Sequence, residues 1–266
     1  YITLRQRIQA SAHYTLFDPK YTLEHVSAEN IDSVIQAIAS VQPDVVINGI
    51  GVIKQSSAAN DPLTSISINA LFPHRVAQIC RAAQSRLIQI STDCVFSGQQ
   101  GQYTEDNLPD PVDLYGQTKL LGEVTYPGCL TLRTSIIGRE LSTQHGLIEW
   151  FLSQRGKAIQ GYTRAIYSGL TTQALAELLG KIIAEFPDLD GLWHVSSDAI
   201  SKYDLLCLVK DLCQLDITIE PEAAFVCDRS LDSRRFRQTT GYTPPSWPEM
   251  IRQMAEDFTF YEHLRA

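Results

Sequence analysis

Tyr115 and Lys119 stand four residues apart, a short way downstream of the run Ser91-Thr92-Asp93. On a helix, residues four apart share a face, so the phenol and the ammonium point the same way. The chemistry that uses such a pair is proton transfer near neutral pH. A free tyrosine, with a pKa of about 10, is a poor acid–base catalyst near pH 7, and a neighbouring ammonium lowers that pKa. A hydroxyl such as Thr92 can hold a carbonyl oxygen beside the phenol and stabilise charge as it develops there. Isolated Tyr/Lys pairs of this spacing are common on helix surfaces; the Ser-Thr-Asp run sets this one apart.

Positioning these groups requires a strand, a loop and a helix. Leu87-Ile88-Gln89-Ile90 reads as a buried strand that ends in Ser91, Thr92 and Asp93. Open α/β sheets keep their ligands at that end of a strand. A loop rich in Gly, Asp and Pro follows, and the helix opens at Tyr115-Gly116-Gln117-Thr118-Lys119. Upstream, Ile31 to Val41 has helical spacing at Ile31, Val34, Ile35 and Ile38. Val45-Val46-Ile47 is a second buried strand, ending in Asn48-Gly49-Ile50-Gly51. Small residues there let a ligand approach the backbone closely; a plain tight turn fits the same residues. Asp61-Pro62 starts a helix that carries Asn69. Cys129 to Arg133 is a third strand, ending in Thr134 and Ser135. His13 to Phe17 reads as a short strand, and Arg139 to Gly161 as a helical insertion carrying Trp150 and Phe151. A helix over 173–186, a strand over 192–196 and a helix over 201–215 complete the pattern. Strands alternating with helices predict an α/β fold, a Rossmann-like doubly wound parallel sheet.

The motif resembles the extended short-chain dehydrogenase/reductases, and among them the dTDP-4-dehydrorhamnose reductase branch. The residues that carry the resemblance are Ser91-Thr92-Asp93, Val95-Phe96, Gly98, Gly101, Tyr103, Glu105, Pro111, Tyr115-Gly116, Lys119 and Gly122-Glu123. Cys94 stands where the family usually has Tyr, and Thr118 where it usually has Ser. The resemblance implies Tyr115 as general acid, Lys119 on the cofactor ribose and Thr92 on the carbonyl oxygen. It implies cofactor contacts at Asn48, Gly49, Ile50, Gly51, Asn69, Ser91, Thr134 and Ser135. Asn69 would buttress the cofactor strand; a satisfied structural Asn fits equally. It also implies a glycine-rich turn upstream of Tyr1, with its strand and helix, so that Tyr1 to Leu4 would be the second strand. Arg5, with Arg7, would then face the adenosine ribose and favour NADP(H) over NAD(H); a solvated basic loop is the competing reading.

The implied architecture is a cofactor domain over 1–138 and about 166–195. A smaller substrate domain would take about 139–165 and 196–266. The implied reaction is reduction of a keto group on a nucleotide-activated deoxysugar. Asp93, Trp150 and Arg229 are the candidate substrate contacts. Trp150 could flank a sugar, but an aromatic on a helix stripe is more often core. Arg forks suit diphosphates, yet the run Arg229, Arg234, Arg235, Arg237 also reads as a solvated face. A nucleotide-sugar epimerase and a non-catalytic NADP-binding regulatory subunit are the competing functions. Dehydration is disfavoured because Cys94 follows Asp93 where dehydratases carry a second acid.

Composition agrees with an enzyme of this kind. With 266 residues the chain can bury a large core. The net charge of −8 gives no electrostatic basis for binding nucleic acid or an anionic membrane. The six cysteines show no CxxC spacing, which fits reduced thiols in the cytoplasm. No apolar run approaches a membrane span, and no metal-ligand spacing occurs among the six histidines. A nucleotide-diphosphate sugar is the expected partner, and a homodimer is an assembly the sequence leaves open.

Overall fold

The computed structural model describes residues 1–6, 17–141, 143–258 and 261. Arg7 and the strand expected from His13 lie outside the described residues, Phe17 excepted. In chain order the first elements are β1 (Ile2–Thr3), β2 (Thr22–Leu23), α1 (Ile31–Val41) and β3 (Val45–Asn48). Then come α2 (Pro62–Ser65), α3 (Phe72–Ala82), β4 (Arg86–Ile90), α4 (Leu114–Leu121) and β5 (Cys129–Arg133). Beyond them lie β6 (Ile136–Ile137), α5 (Leu147–Leu152), β7 (Ala158–Tyr162), β8 (Ala165–Tyr167), β9 (Leu170–Thr171), α6 (Thr172–Glu185) and β10 (Gly191–His194). The last are β11 (Ile200–Ser201), α7 (Lys202–Leu212), β12 (Thr218–Glu222), β13 (Cys227–Asp228), α8 (Arg234–Thr240) and α9 (Trp247–Glu256).

The main sheet is parallel throughout, in the order β10-β5-β4-β3. Leu87, Ile88, Leu130 and Leu132 are fully buried. Strands covered on both faces read as near-continuous apolar runs, and β4 and β5 do. The pair β1–β2 is parallel and forms its own small sheet. The helical path from β3 to β4 starts at Pro62, with Asp61 capping it through Leu63 N and Thr64 N. Between α2 and α3 it widens into a π-helical segment, Ile66–Leu71, that carries Asn69; π-segments inside helices recur at functional sites.

The expected helical insertion over 139–161 is not one helix. It contains α5 and then β7, which pairs in parallel with β12. Gly156, at φ 75°, makes the turn between them. Of its two aromatics, Phe151 is core and Trp150 is 39% exposed. The remaining small sheets are β11-β8-β13 and β6-β9. Behind them α7 and α9 bring Leu205, Val209, Met250, Ile251 and Met254 into the same core as β5 and α6.

The loop after β4 joins the main sheet to the C-terminal part. Phe96 and Tyr103 stack at 4.2 Å. Asp228 N donates to Gly98 O, Tyr103 N to Ser230 O and Asp232 N to Tyr103 O. Gly101 sits at φ +74°, and a Cβ there would lie 2.3 Å from the Asp228 carboxylate. The motif residues Phe96, Gly98, Gly101 and Tyr103 thus dock this loop onto β13 and the chain beyond it. Among the described residues no helix is long and apolar enough to cross a membrane.

Candidate active site

The helix that carries Tyr115 and Lys119 is α4. Asp113 caps it by accepting from Gly116 N at 2.8 Å. The other Asp113 oxygen takes Lys54 Nζ at 2.7 Å, which ties the loop after β3 to the start of α4. Burial alone would raise the Asp113 carboxyl; the hydrogen bonds from Lys54 and Gly116 N outweigh it and leave the group lowered. Gly116 allows α4 to lie against the β4 loop, since a Cβ there would stand 2.3 Å from Cys94 O. At the far end, Gly122 presses on Asn69 O, where a Cβ would stand 1.9 Å away.

A cleft of about 270 Å³ opens at the carboxyl ends of β3, β4 and β5. Ser91, Thr92, Asp93 and Cys94 line it from β4, and Tyr115 and Lys119 from α4. Gly49, Gly51 and Lys54 line it from β3, and Thr134, Ser135 and Ile136 from β5. Thr92 Oγ1 accepts from Cys94 N at 3.1 Å and donates to Asp93 Oδ1 at 3.2 Å. Lys119 Nζ donates to Ile90 O at 2.7 Å. Burial lowers its pKa to about 8, with the Glu123 carboxylate holding it up in part.

The phenol of Tyr115 departs from the expectation that a nearby ammonium lowers it. Its pKa is raised, first by burial and then by Cys94, against the hydroxyl of Thr92, which lowers it. Removing the phenolate from water is the dominant cause here. The group is therefore held as the neutral phenol, the form that donates a proton. Asp93 is raised as well, by burial, with Arg229 opposing. Burial pushes the Cys94 thiol up to about 12, so it is not a thiolate nucleophile.

Other expected residues stand behind the cleft wall. Asn48 Nδ2 donates to Gln89 Oε1 at 2.7 Å and its Oδ1 accepts from Ile50 N at 3.1 Å. Asn69 accepts from Val52 N at 2.8 Å and donates to Val52 O at 3.1 Å. Both hold the turn 48–52 in place without lining the cleft. Ile50 is 38% exposed beside it. Arg5 is exposed after β1, outside the cleft. Trp150 does not line it. Of the basic run, Arg234 pairs with Asp232, Arg237 donates to Ser233 Oγ and Ser196 O, and Arg235 lies over the Trp193 ring at 4.1 Å. Arg229 alone among these four turns to the cleft wall, with Nε on Phe96 O at 2.8 Å and Nη1 3.8 Å from Cys94 Sγ.

Two groups escaped the sequence reading. Lys54 carried no signal, because its partner Asp113 lies far along the chain. Glu123 and Arg133 form a buried pair at 2.8 Å; Glu123 stood in the motif, but its partner sits at the end of β5. A nicotinamide cofactor fits the cleft. At Gly51 a Cβ would meet Asn69 Oδ1 at 3.2 Å and Lys119 Nζ at 3.9 Å, while at Gly49 nothing lies within 4 Å. The backbone is therefore bare where a cofactor must approach, beside a fixed ammonium and the apolar Ile90 and Ile136.

Comparison with known proteins points the same way. The family model described as "RmlD substrate binding domain" matches residues 3–260. A dTDP-4-dehydrorhamnose reductase of Streptomyces griseus is 36% identical over 100 residues, 37% of this chain and 33% of that protein. The spore coat polysaccharide biosynthesis protein SpsK of Bacillus subtilis is 25% identical over 242 residues, covering 85% of this chain and 83% of SpsK. Among solved structures, a dTDP-4-dehydrorhamnose reductase from Bacillus anthracis in complex with NADP superposes with a TM-score of 0.78 at 20% identity. That superposition covers 96% of this chain and 98% of the other.

Proposed function

This chain belongs to the RmlD substrate-binding-domain family, and we propose that it reduces a keto group on a nucleotide-activated deoxysugar with NADP(H). The observation that carries this reading is the convergence of Thr92, Tyr115 and Lys119 on one cleft, with the phenol held neutral. Bound NADPH supplies the hydride. Lys119, fixed by Ile90 O, would hold the ribose, with Gly49 and Gly51 leaving room and Thr134 and Ser135 alongside. Arg5 is the residue we assign to preference for the 2′-phosphate.

The proton comes from Tyr115, which gives up its phenolic hydrogen to the carbonyl oxygen as the carbon is reduced. Thr92 keeps Cys94 N on its oxygen and turns its own hydrogen from Asp93 to the substrate's carbonyl oxygen. Donors placed where charge develops are worth most in a dry site. Asp93, freed from Thr92, then accepts from a sugar hydroxyl. Arg229, whose Nε is held by Phe96 O and whose Nη1 lies beside Cys94 Sγ, is the group we assign to the diphosphate. Residues 1–138 with about 166–195 would form the cofactor half, and the remainder the substrate half.

The test is NADPH consumption by the full-length protein with a panel of keto-sugar nucleotides. Tyr115→Phe is expected to lower turnover by about 10²–10⁴-fold, the usual contribution of a positioned acid, with NADPH affinity nearly unchanged. Retained turnover in that variant removes Tyr115 from the reaction.

A further inference from the structure

Glu123 lies one helical turn beyond Lys119, just past the end of α4. Its carboxylate accepts from Ser91 Oγ at 2.7 Å and from Arg133 Nε and Nη2 at 2.8 Å each. Ser91 follows the last residue of β4, and Arg133 is the last residue of β5. One carboxylate therefore ties the end of the catalytic helix to two strand ends. The acceptor of the Lys119 ammonium is Ile90 O, the residue next to Ser91. The ammonium and the carboxylate thus grip neighbouring points of the same strand end.

The grip continues outward. Arg133 Nη1 lies 3.3 Å from His194 Nε2, and His194 Nδ1 lies 2.9 Å from Tyr103 O. A carbonyl accepts only, so Nδ1 carries the hydrogen and Nε2 accepts from Arg133. Burial, with Arg133 second, pushes His194 down to about 4, which keeps it neutral in this arrangement. The Arg133 and Glu123 side chains are 4% and 9% exposed. A buried pair of this kind is often replaceable by apolar residues at no cost in stability. Stability alone therefore does not account for its position directly behind Lys119.

We propose that Glu123 is a positioning residue for proton transfer: with Arg133 as its fixed partner, it holds Lys119 and the strand end Ile90–Ser91 in the register that Tyr115 needs. The inference rests on the reading of Tyr115 and Lys119 given above. Several charged and titratable groups surround Lys119. Tyr115 comes from α4 and Glu123 from just past its end, with Asp113 capping α4 and Lys54 reaching Asp113 from the loop after β3. Asp93 and Cys94 come from the β4 loop, and Arg133 from β5.

The experiment measures Lys119 itself. Competitive acetylation across pH in the full-length protein, read by mass spectrometry, gives its titration midpoint without turnover. Glu123→Gln is expected to lower that midpoint by roughly one unit and to reduce kcat, with KM for the sugar nucleotide little changed. Glu123→Asp is expected to recover part of both. Glu123→Gln leaves Arg133 buried and unpaired, which itself destabilises. The double variant Glu123→Gln/Arg133→Met removes that penalty, and in folded form its kcat is expected to fall at least about tenfold, as for a small misplacement of reacting groups. An unmoved midpoint in folded Glu123→Gln, or wild-type kcat in the folded double variant, overturns the proposal. Wild-type protein that reduces no keto-sugar nucleotide fails the assigned reaction instead, and the Lys119 midpoint then decides this inference alone.

Discussion

Two clefts open at strand ends of the main sheet, and the larger one is chemically quieter. The cleft at Tyr115 measures about 270 Å³. The one between Ser196–Ala199 and Leu231–Arg237 measures about 460 Å³. In the larger cleft nearly every polar side chain is already satisfied. Ser196 Oγ donates to Leu231 O, Ser197 Oγ to Gly169 O, and Arg237 to Ser233 and Ser196. In the smaller cleft Tyr115, Asp93 and Lys119 are all displaced toward their neutral forms by burial. Groups held away from their preferred charge state are what proton transfer needs, so the contrast supports the smaller cleft as the proposed site of reaction.

The sharpest way to break that contrast is Lys119→Met. Turnover is expected to drop about 10²-fold or more, since the cofactor loses the ammonium proposed to fix it beside the acid, and NADPH affinity with it. Stability is expected to move the other way. Lys119 has a folded pKa of about 8 against an ordinary 10.5, so the unfolded chain binds more protons between those values. The penalty for burying this ammonium is therefore full below about pH 8 and fades as pH rises toward 10.5. At pH 7 the methionine variant should melt higher, by about 2–4 °C for each kcal/mol relieved. Calorimetry and NADPH titration together check this; a lower melting temperature would mean that the Ile90 O hydrogen bond outweighs the desolvation. In the wild type the same titration should make turnover fall as pH rises through about 8.

Gly116→Ala tests position without touching a charge. The new Cβ would stand 2.3 Å from Cys94 O and 2.9 Å from Pro111, so the start of α4 must move outward and carry Tyr115 with it. A displacement of about 1 Å is expected to cost on the order of 10²-fold in kcat, with binding of the cofactor less affected. A matched alanine at Gly180, where nothing lies within 4 Å, is expected to leave kinetics unchanged. Equal effects from the two would remove the close approach of α4 as an explanation.

Much of this was legible in the sequence where a single local rule applied. The helix Ile31–Val41 and the strand Cys129–Arg133 fall where their apolar spacing put them. Thr171 caps α6 through Ala174 N, as a threonine before an apolar run should. The cleft residues Thr92, Tyr115 and Lys119 follow from one strand end and one helix face. What was not legible depends on contacts distant in the chain. β7 looked helical because a short apolar run does not declare its period, and its partner β12 lies about sixty residues on. The direction of the Tyr115 shift was not legible because spacing shows the neighbouring ammonium but not the burial that dominates the shift. The roles of Gly98 and Gly101 needed Asp228, and that of Glu123 needed Arg133.

The smallest expected effects come from the basic run, and they separate the two clefts most finely. Arg229 Nε holds Phe96 O, and its guanidinium faces Cys94 and Asp93. Arg237 is spent on Ser233 and Ser196 in the quiet cleft. Arg229→Gln is expected to raise KM for a diphosphate sugar about tenfold, the value of one charge-assisted contact, with kcat within a few-fold. Arg237→Gln removes hydrogen bonds within the scaffold, so it should lower the melting temperature slightly and leave KM within about two-fold, as for most partly exposed sites. Steady-state kinetics on both variants check the pair. If Arg237→Gln raises KM and Arg229→Gln does not, the nucleotide lies in the larger cleft, and satisfied side chains would then be a poor guide to where this fold binds its substrate.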